Sequence, residues 1–121
     1  QLADILGKYR ELDAFLATGG FPQYVEGAYR QVTGQHLERI ASGRTLIVVA
    51  DTLPMQMRLL RDGLSHGQVG QRPFEMGYRT MQLLRLLAEG QPVDDPIHTG
   101  LDVCLPETAD SCLGAASETD D

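Results

Sequence analysis

The sequence predicts an α/β fold with a parallel sheet, and three observations carry that expectation. Leu46–Ala50 (LIVVA) is a short, continuous apolar run rich in β-branched residues, the pattern of a strand covered on both faces. Apolar residues recur at helical spacing on either side of it, at Val25, Ala28, Tyr29 and Val32 before and at Met57, Leu60 and Leu64 after. Short extended segments alternate with these helical ones, the order of βαβ units joined by right-handed crossovers.

From the N-terminus, Leu2, Ile5, Leu6 and Tyr9 fall at i, i+3, i+4 and i+7 and predict a helix with one apolar stripe. Residues 13–17 (DAFLA) read as a short strand that opens on Asp13 and closes at Ala17. Gly19 and Gly20 then permit tight backbone geometry, and Pro22 suits the first turn of the helix carrying Val25 and Tyr29. Leu37 and Ile40 predict a further helical turn before the apolar strand, which stops at Asp51. Pro54 opens the next helix and Gly63 closes it. Residues 67–70 then run as a short segment into Gln71, Arg72 and Pro73, and a long helix spans 74–88 with Gly90 as its stop. Its stripe of Gly77, Met81, Leu84 and Ala88 predicts close approach to the sheet at Gly77. After a loop with two prolines, 97–103 read as extended; beyond Pro106 the pattern fades, and from Gly114 it is that of a disordered tail.

At 121 residues the chain has the length of about one domain, yet three main strands are few for a doubly wound sheet. Part of a larger domain is therefore expected. Ten basic residues scattered among seventeen acidic ones, a net charge of −7, argue against nucleic acid, whose phosphate backbone requires clustered Lys and Arg. Glu118, Asp120 and Asp121 place part of that excess in a solvated tail. No apolar run approaches the ~20 residues of a membrane span. The opening at Gln1, straight into helix-like sequence without a signal peptide, is what a fragment or processed form would show. Cys104 and Cys112 lack CxxC spacing, and His36, His66 and His98 fall in separate segments, so no metal site is expected. The histidines read as solvated loop residues. The cysteines stay open between two free thiols and a local disulfide.

Asp51, Gln71 and Arg72 all stand just past strand C-termini, the edge of an open α/β sheet where ligands bind. An ionised carboxylate offers two acceptor oxygens, and charge-assisted hydrogen bonds are about twice as strong as neutral ones. Asp51 before Thr-Leu-Pro is also a good helix cap, since its carboxylate can accept N–H bonds of the first turn. Arg72 can donate a fork to a ligand oxygen, pair with Asp51, or remain a surface charge.

The segments LDAFLATGGFP, IASGRTLIVVADTLPMQMRLLRDG, VGQRPFEMGYRTMQLL and DPIHTGLDV resemble the C-terminal lobe of type I periplasmic sugar-binding proteins of ABC transporters, the ribose-binding-protein-like group, over roughly residues 1–105. The resemblance implies a three-layer αβα arrangement with a parallel sheet in 1–105, followed by a C-terminal segment in 106–121. It implies a bilobal protein that closes on a small sugar, with 99–103 similar to the last of the segments crossing between lobes. Asp51 matches the strand-end aspartate that accepts from sugar hydroxyls, and Gln71 matches the polar residue after the following strand. The chain departs from the family pattern at Gly19-Gly20-Phe21, where many relatives carry asparagine and an acidic residue. That removes one polar contact and leaves Gly20 and Phe21 at the site, with Phe21 either stacked on a sugar face or packed as a staple against Val25.

There is no GxxxxGK[ST] loop, no GxSxG elbow and no GxGxxG after a strand, and Asp51 with Arg72 lacks a nucleophile. A non-enzymatic binding role without a cofactor is expected. Two functions remain open: the sugar-capturing component of an importer, periplasmic or anchored as a cell-surface lipoprotein and docking on the transporter permease, or the effector domain of a lactose-repressor-type regulator. The resemblance also implies strands that precede residue 1. Without them the strand at 13–17 becomes an open edge, and self-association through it is expected.

Overall fold

The computed structural model describes residues 1–112. The expected acidic, disordered tail from Gly114 lies outside them. Four strands form one sheet in the order β1-β2-β3-β4: β1 (Ala14–Ala17), β2 (Leu46–Ala50), β3 (Gly67–Gln71) and β4 (Leu101–Cys104). The first three are parallel, as predicted, whereas β4 pairs antiparallel with β3. The sheet is thus mixed, and the extended stretch expected over 97–103 narrows to the four residues that pair with β3.

The register assigns each strand residue a face, because side chains alternate along a strand. Phe15, Ala17, Ile47, Val49, Gln68 and Cys104 share one face; Leu16, Leu46, Val48, Val69, Leu101 and Val103 share the other. The first face is the core. Ile47 and Val49 pack with Ile40 of helix α3 (Leu37–Ala41), and Cys104 packs with Met57 and Leu60 of helix α4 (Pro54–Arg61). Tyr29 of helix α2 (Glu26–Gly34) meets Leu59 and Leu64, with Leu2 of helix α1 (Leu2–Lys8) against the cluster. Arg39 ties α1 down by donating to the carbonyls of Leu6 at 3.2 Å and Tyr9 at 3.1 Å.

The second face is open. Leu16, Leu101 and Val103 are exposed, and helix α5 (Pro73–Ala88) buries none of its side chains. Of the three expected layers, the described residues supply the sheet and one packed helical layer. Gly77 accordingly has no neighbour among the described residues within 4 Å of where a Cβ would stand, so the close approach to the sheet predicted there does not occur.

Two local expectations change. Residues 21–25 form turns, and α2 begins at Glu26 rather than near Pro22. His66 is not a solvated loop residue: its Nδ1 accepts the Ile47 N–H at 3.1 Å and its Nε2 lies 3.1 Å from the Ile40 carbonyl, bridging α3 to the sheet. Cys104 and Cys112 form a disulfide that ties the turn after β4 back to the Met57–Leu60 face of α4, so the free-thiol reading does not hold.

Candidate functional site

The C-terminal ends of β1, β2 and β3 meet at Asp51. Its backbone leaves the sheet at φ 74°, a left-handed conformation uncommon for a residue with a side chain. Its N–H still donates to the Val69 carbonyl at 2.9 Å, so the turn away from the sheet begins only after that bond. The carboxylate does not cap α4. The N-cap is Leu53, and its N–H donates to Gln56 Oε1 at 3.0 Å. With that task taken by Gln56, the capping reading of Asp51 is overturned.

Three donors surround the carboxylate. The Gly20 N–H donates to Oδ2 at 3.1 Å, the Tyr24 hydroxyl approaches the same oxygen at 3.5 Å, and Gln71 Nε2 approaches Oδ1 at 3.5 Å. The last two lie at the outer edge of hydrogen-bond distance, so the carboxylate keeps acceptor capacity for a ligand. No cationic side chain bonds to it among the described residues. Gly20 is a glycine because of this contact: a Cβ there would stand 2.6 Å from Asp51 Oδ2, 2.8 Å from the Tyr24 ring and 3.0 Å from Gln56 Nε2.

Beneath Asp51 lies a network of three glutamines, each fully buried. Gln56 Nε2 donates to the Ala50 carbonyl at 2.9 Å and to Gln23 Oε1 at 3.0 Å. Gln68, with its amide nitrogen facing β2, donates to the carbonyls of Val49 at 2.8 Å and Asp51 at 3.2 Å, and its oxygen accepts from Gln23 Nε2 at 3.0 Å and Ser65 Oγ at 3.2 Å. A buried amide without partners costs roughly 1–3 kcal/mol, and here every amide is partnered. The network joins the β1–α2 turn to β2, α4 and β3, and so fixes the Asp51 backbone from below.

Arg72 does not reach Asp51. It donates to Asp102 Oδ1 from Nε at 3.0 Å and Nη2 at 2.7 Å, and lies 3.6 Å from Glu75. The Asp102 carboxylate, with Glu75 beside it, pushes the guanidinium pKa further up. Gly100 makes room for it, since a Cβ there would stand 2.7 Å from Nη1. Phe21 also points elsewhere. With Leu2, Ile5, Val25 and Val32 it lines an apolar groove of about 550 Å³ between α1, α2 and the β1 edge.

Of the five residues the sequence singled out, the structure brings Asp51, Gln71 and Gly20 together and sets Arg72 and Phe21 apart. Sequence reasoning missed Tyr24 and the glutamines. Tyr24 and Gln23 fall in a turn with no periodicity to mark them, and Gln68 alternates with Val69 on the face that the apolar pattern leaves to solvent, so no signal in the sequence flagged them.

No protein-family model matches the chain, and no curated protein sequence does. Solved structures do. A glucose-galactose binding protein from Geobacillus stearothermophilus, GanP, is similar with a TM-score of 0.69 and 27% identity over 88% of this chain. An ABC transporter solute binding protein from Agrobacterium vitis with bound allitol superposes with a TM-score of 0.73 at 22% identity over 95% of the chain. A carbohydrate transporter solute binding protein from Agrobacterium radiobacter in complex with D-arabinose does so with a TM-score of 0.65 at 17% identity over 94%. The chain spans 36%, 39% and 37% of those proteins, respectively. It has the fold of one lobe of the type I periplasmic sugar-binding proteins, the family it resembles in structure as in sequence.

Proposed function

We propose that this chain contributes one wall of a sugar-binding cleft in the solute receptor of an ABC importer, with Asp51 as the polar anchor and Gln71 beside it. The observation that carries the reading is the Asp51 carboxylate, held at a strand end in an unfavourable backbone conformation without capping the helix that follows. Strain of that kind, of order 1–3 kcal/mol, persists where surrounding structure imposes it, and here a buried amide network does so.

The charge balance favours a neutral ligand. Arg72, next to Gln71 in the chain, is engaged by Asp102 and Glu75, and Asp51 itself repels carboxylate and phosphate. Hydroxyl groups that donate to a carboxylate and exchange hydrogen bonds with an amide fit what remains. The Cys104–Cys112 disulfide supports a location outside the reducing cytoplasm, as for a periplasmic or lipid-anchored receptor, and weighs against the cytoplasmic regulator. Capture by two lobes, docking on a permease and transport belong to this proposal.

Titration calorimetry of the full-length protein with neutral monosaccharides and with their uronic acids tests it. Micromolar or tighter binding of a neutral sugar, with the matching acid at least roughly 10-fold weaker, is the expected result. Preference for the acid, or no binding of any sugar, would contradict it. The 121-residue chain alone should bind only in the millimolar range, because one wall leaves the other side of the ligand in water.

A further inference from the structure

The sequence left Phe21, where the chain departs from the family pattern, open between stacking on a sugar face and packing as a staple against Val25. Phe21 faces the apolar groove beside β1, with its ring over Gly19. Tyr24 stands on the other side of the same turn, 59% exposed, with its hydroxyl 3.5 Å from Asp51 Oδ2. The division has a local cause. The turn closed by the Gln23 N–H on the Gly20 carbonyl, at 3.0 Å, sends Gln23 into the buried amide network and leaves its neighbour Tyr24 on the outside at Asp51.

We propose that Tyr24 is the ligand-facing aromatic of this lobe, and that its hydroxyl is a placeholder on Asp51 in the empty site. The inference rests on reading the cleft as a sugar site. A phenol hydroxyl donates to a carboxylate as a sugar hydroxyl does, so it partly satisfies Oδ2 until a ligand arrives. At 3.5 Å that bond is weak and gives way at little cost. A ligand hydroxyl then takes the acceptor, and the exposed ring is left against the apolar C–H surface of the ligand. The ring is largely open to solvent against the described residues, on a turn at 21–25 that lies outside the helices.

The proposal separates the two parts of one side chain, and calorimetry on the full-length protein with the neutral sugar that wild type binds best reads them separately. Tyr24→Phe keeps the ring and deletes the placeholder, and should bind within roughly threefold of wild type or more tightly; Tyr24→Ala deletes the ring and should lose about 10-fold or more. Phe21→Ala should stay within roughly threefold, since Phe21 faces the groove. Circular dichroism establishes that each variant is folded; Tyr24→Leu replaces Tyr24→Ala if that one is not, with the same loss expected, and Phe21→Leu replaces Phe21→Ala, with the same retention expected. Unchanged binding by the variants lacking the ring, or a loss in Tyr24→Phe as large as in Tyr24→Ala, overturns the inference while leaving the sugar-site reading intact. A wild-type protein that binds no sugar overturns both.

Discussion

The Gly20 N–H donates to Asp51 Oδ2 at 3.1 Å, and a methyl group on Gly20 would stand 2.6 Å from that same oxygen. The missing side chain and the hydrogen bond are one device: the β1–α2 turn comes close enough to orient the carboxylate only because it carries no Cβ. Gly20→Ala should push Asp51 and Tyr24 aside and press on buried Gln56, costing about 1–3 kcal/mol as overpacking does. Urea unfolding measures the loss, and a midpoint equal to wild type would show that the turn yields freely.

Tyr29 gives a pH signature. Burial pushes its hydroxyl from 10.0 up to about 12, with the Gln23 side chain working the other way. The folded state holds this proton more tightly than the unfolded state, so the contribution is fully present below about pH 10 and lost as pH rises from about 10 to 12. Tyr29→Phe should remove that alkaline slope. It also deletes the 2.6 Å bond to the Leu64 carbonyl, and should cost about 1–2 kcal/mol at neutral pH. Unfolding curves at several alkaline pH values test both, and a variant with the wild-type slope would assign the slope to other groups.

The disulfide closes a short loop, with a sequence separation of 8. Chain-entropy reasoning assigns such a loop roughly 2–3 kcal/mol, and Ala109, buried against α4 inside it, shows what the closure retains. Replacing both cysteines by Ala should raise amide exchange through 105–112 while β1 and β2 keep their protection. Equal exchange in both proteins would mean that packing of Ala109 and the Arg61–Asp110 ion pair suffice.

Much of the fold was legible because periodicity carries it. The LIVVA strand, the Pro54 helix and the long helix after Pro73 stand where alternation and helical spacing put them. The convergence of Asp51 and Gln71 was legible for the same reason, since strand ends point at one edge. What escaped depends on side-chain direction within turns. Phe21 and Tyr24 are three residues apart in a segment with neither period, and only the folded turn decides which faces Asp51. The pairing of Arg72 with Asp51 failed because its actual partner, Asp102, lies on a strand whose antiparallel pairing brings it back beside β3. The disulfide was undecidable from spacing, as it depends on how the segment after β4 folds onto α4.

The β1 edge carries a consequence for the chain studied alone. Among the described residues β1 pairs with β2 alone, and Leu16 on its open face is 71% exposed. A second copy of the chain is the partner expected at that edge, since unpaired strand groups beside apolar side chains invite pairing. Light scattering after size exclusion should find association that Leu16→Lys reduces. A monodisperse wild-type monomer that unfolds cooperatively would show that the exposed edge is tolerated.

Asp51→Gly separates ligand binding from support of the fold, because glycine accepts φ 74° freely while removing the carboxylate. If Asp51 anchors a sugar, calorimetry on the full-length protein should show affinity falling by about 1.5–3 kcal/mol, roughly 10- to 150-fold, with the unfolding midpoint unchanged or raised. Wild-type affinity in this variant, or a loss of stability with binding intact, would contradict the assignment of Asp51 as the anchor of the site.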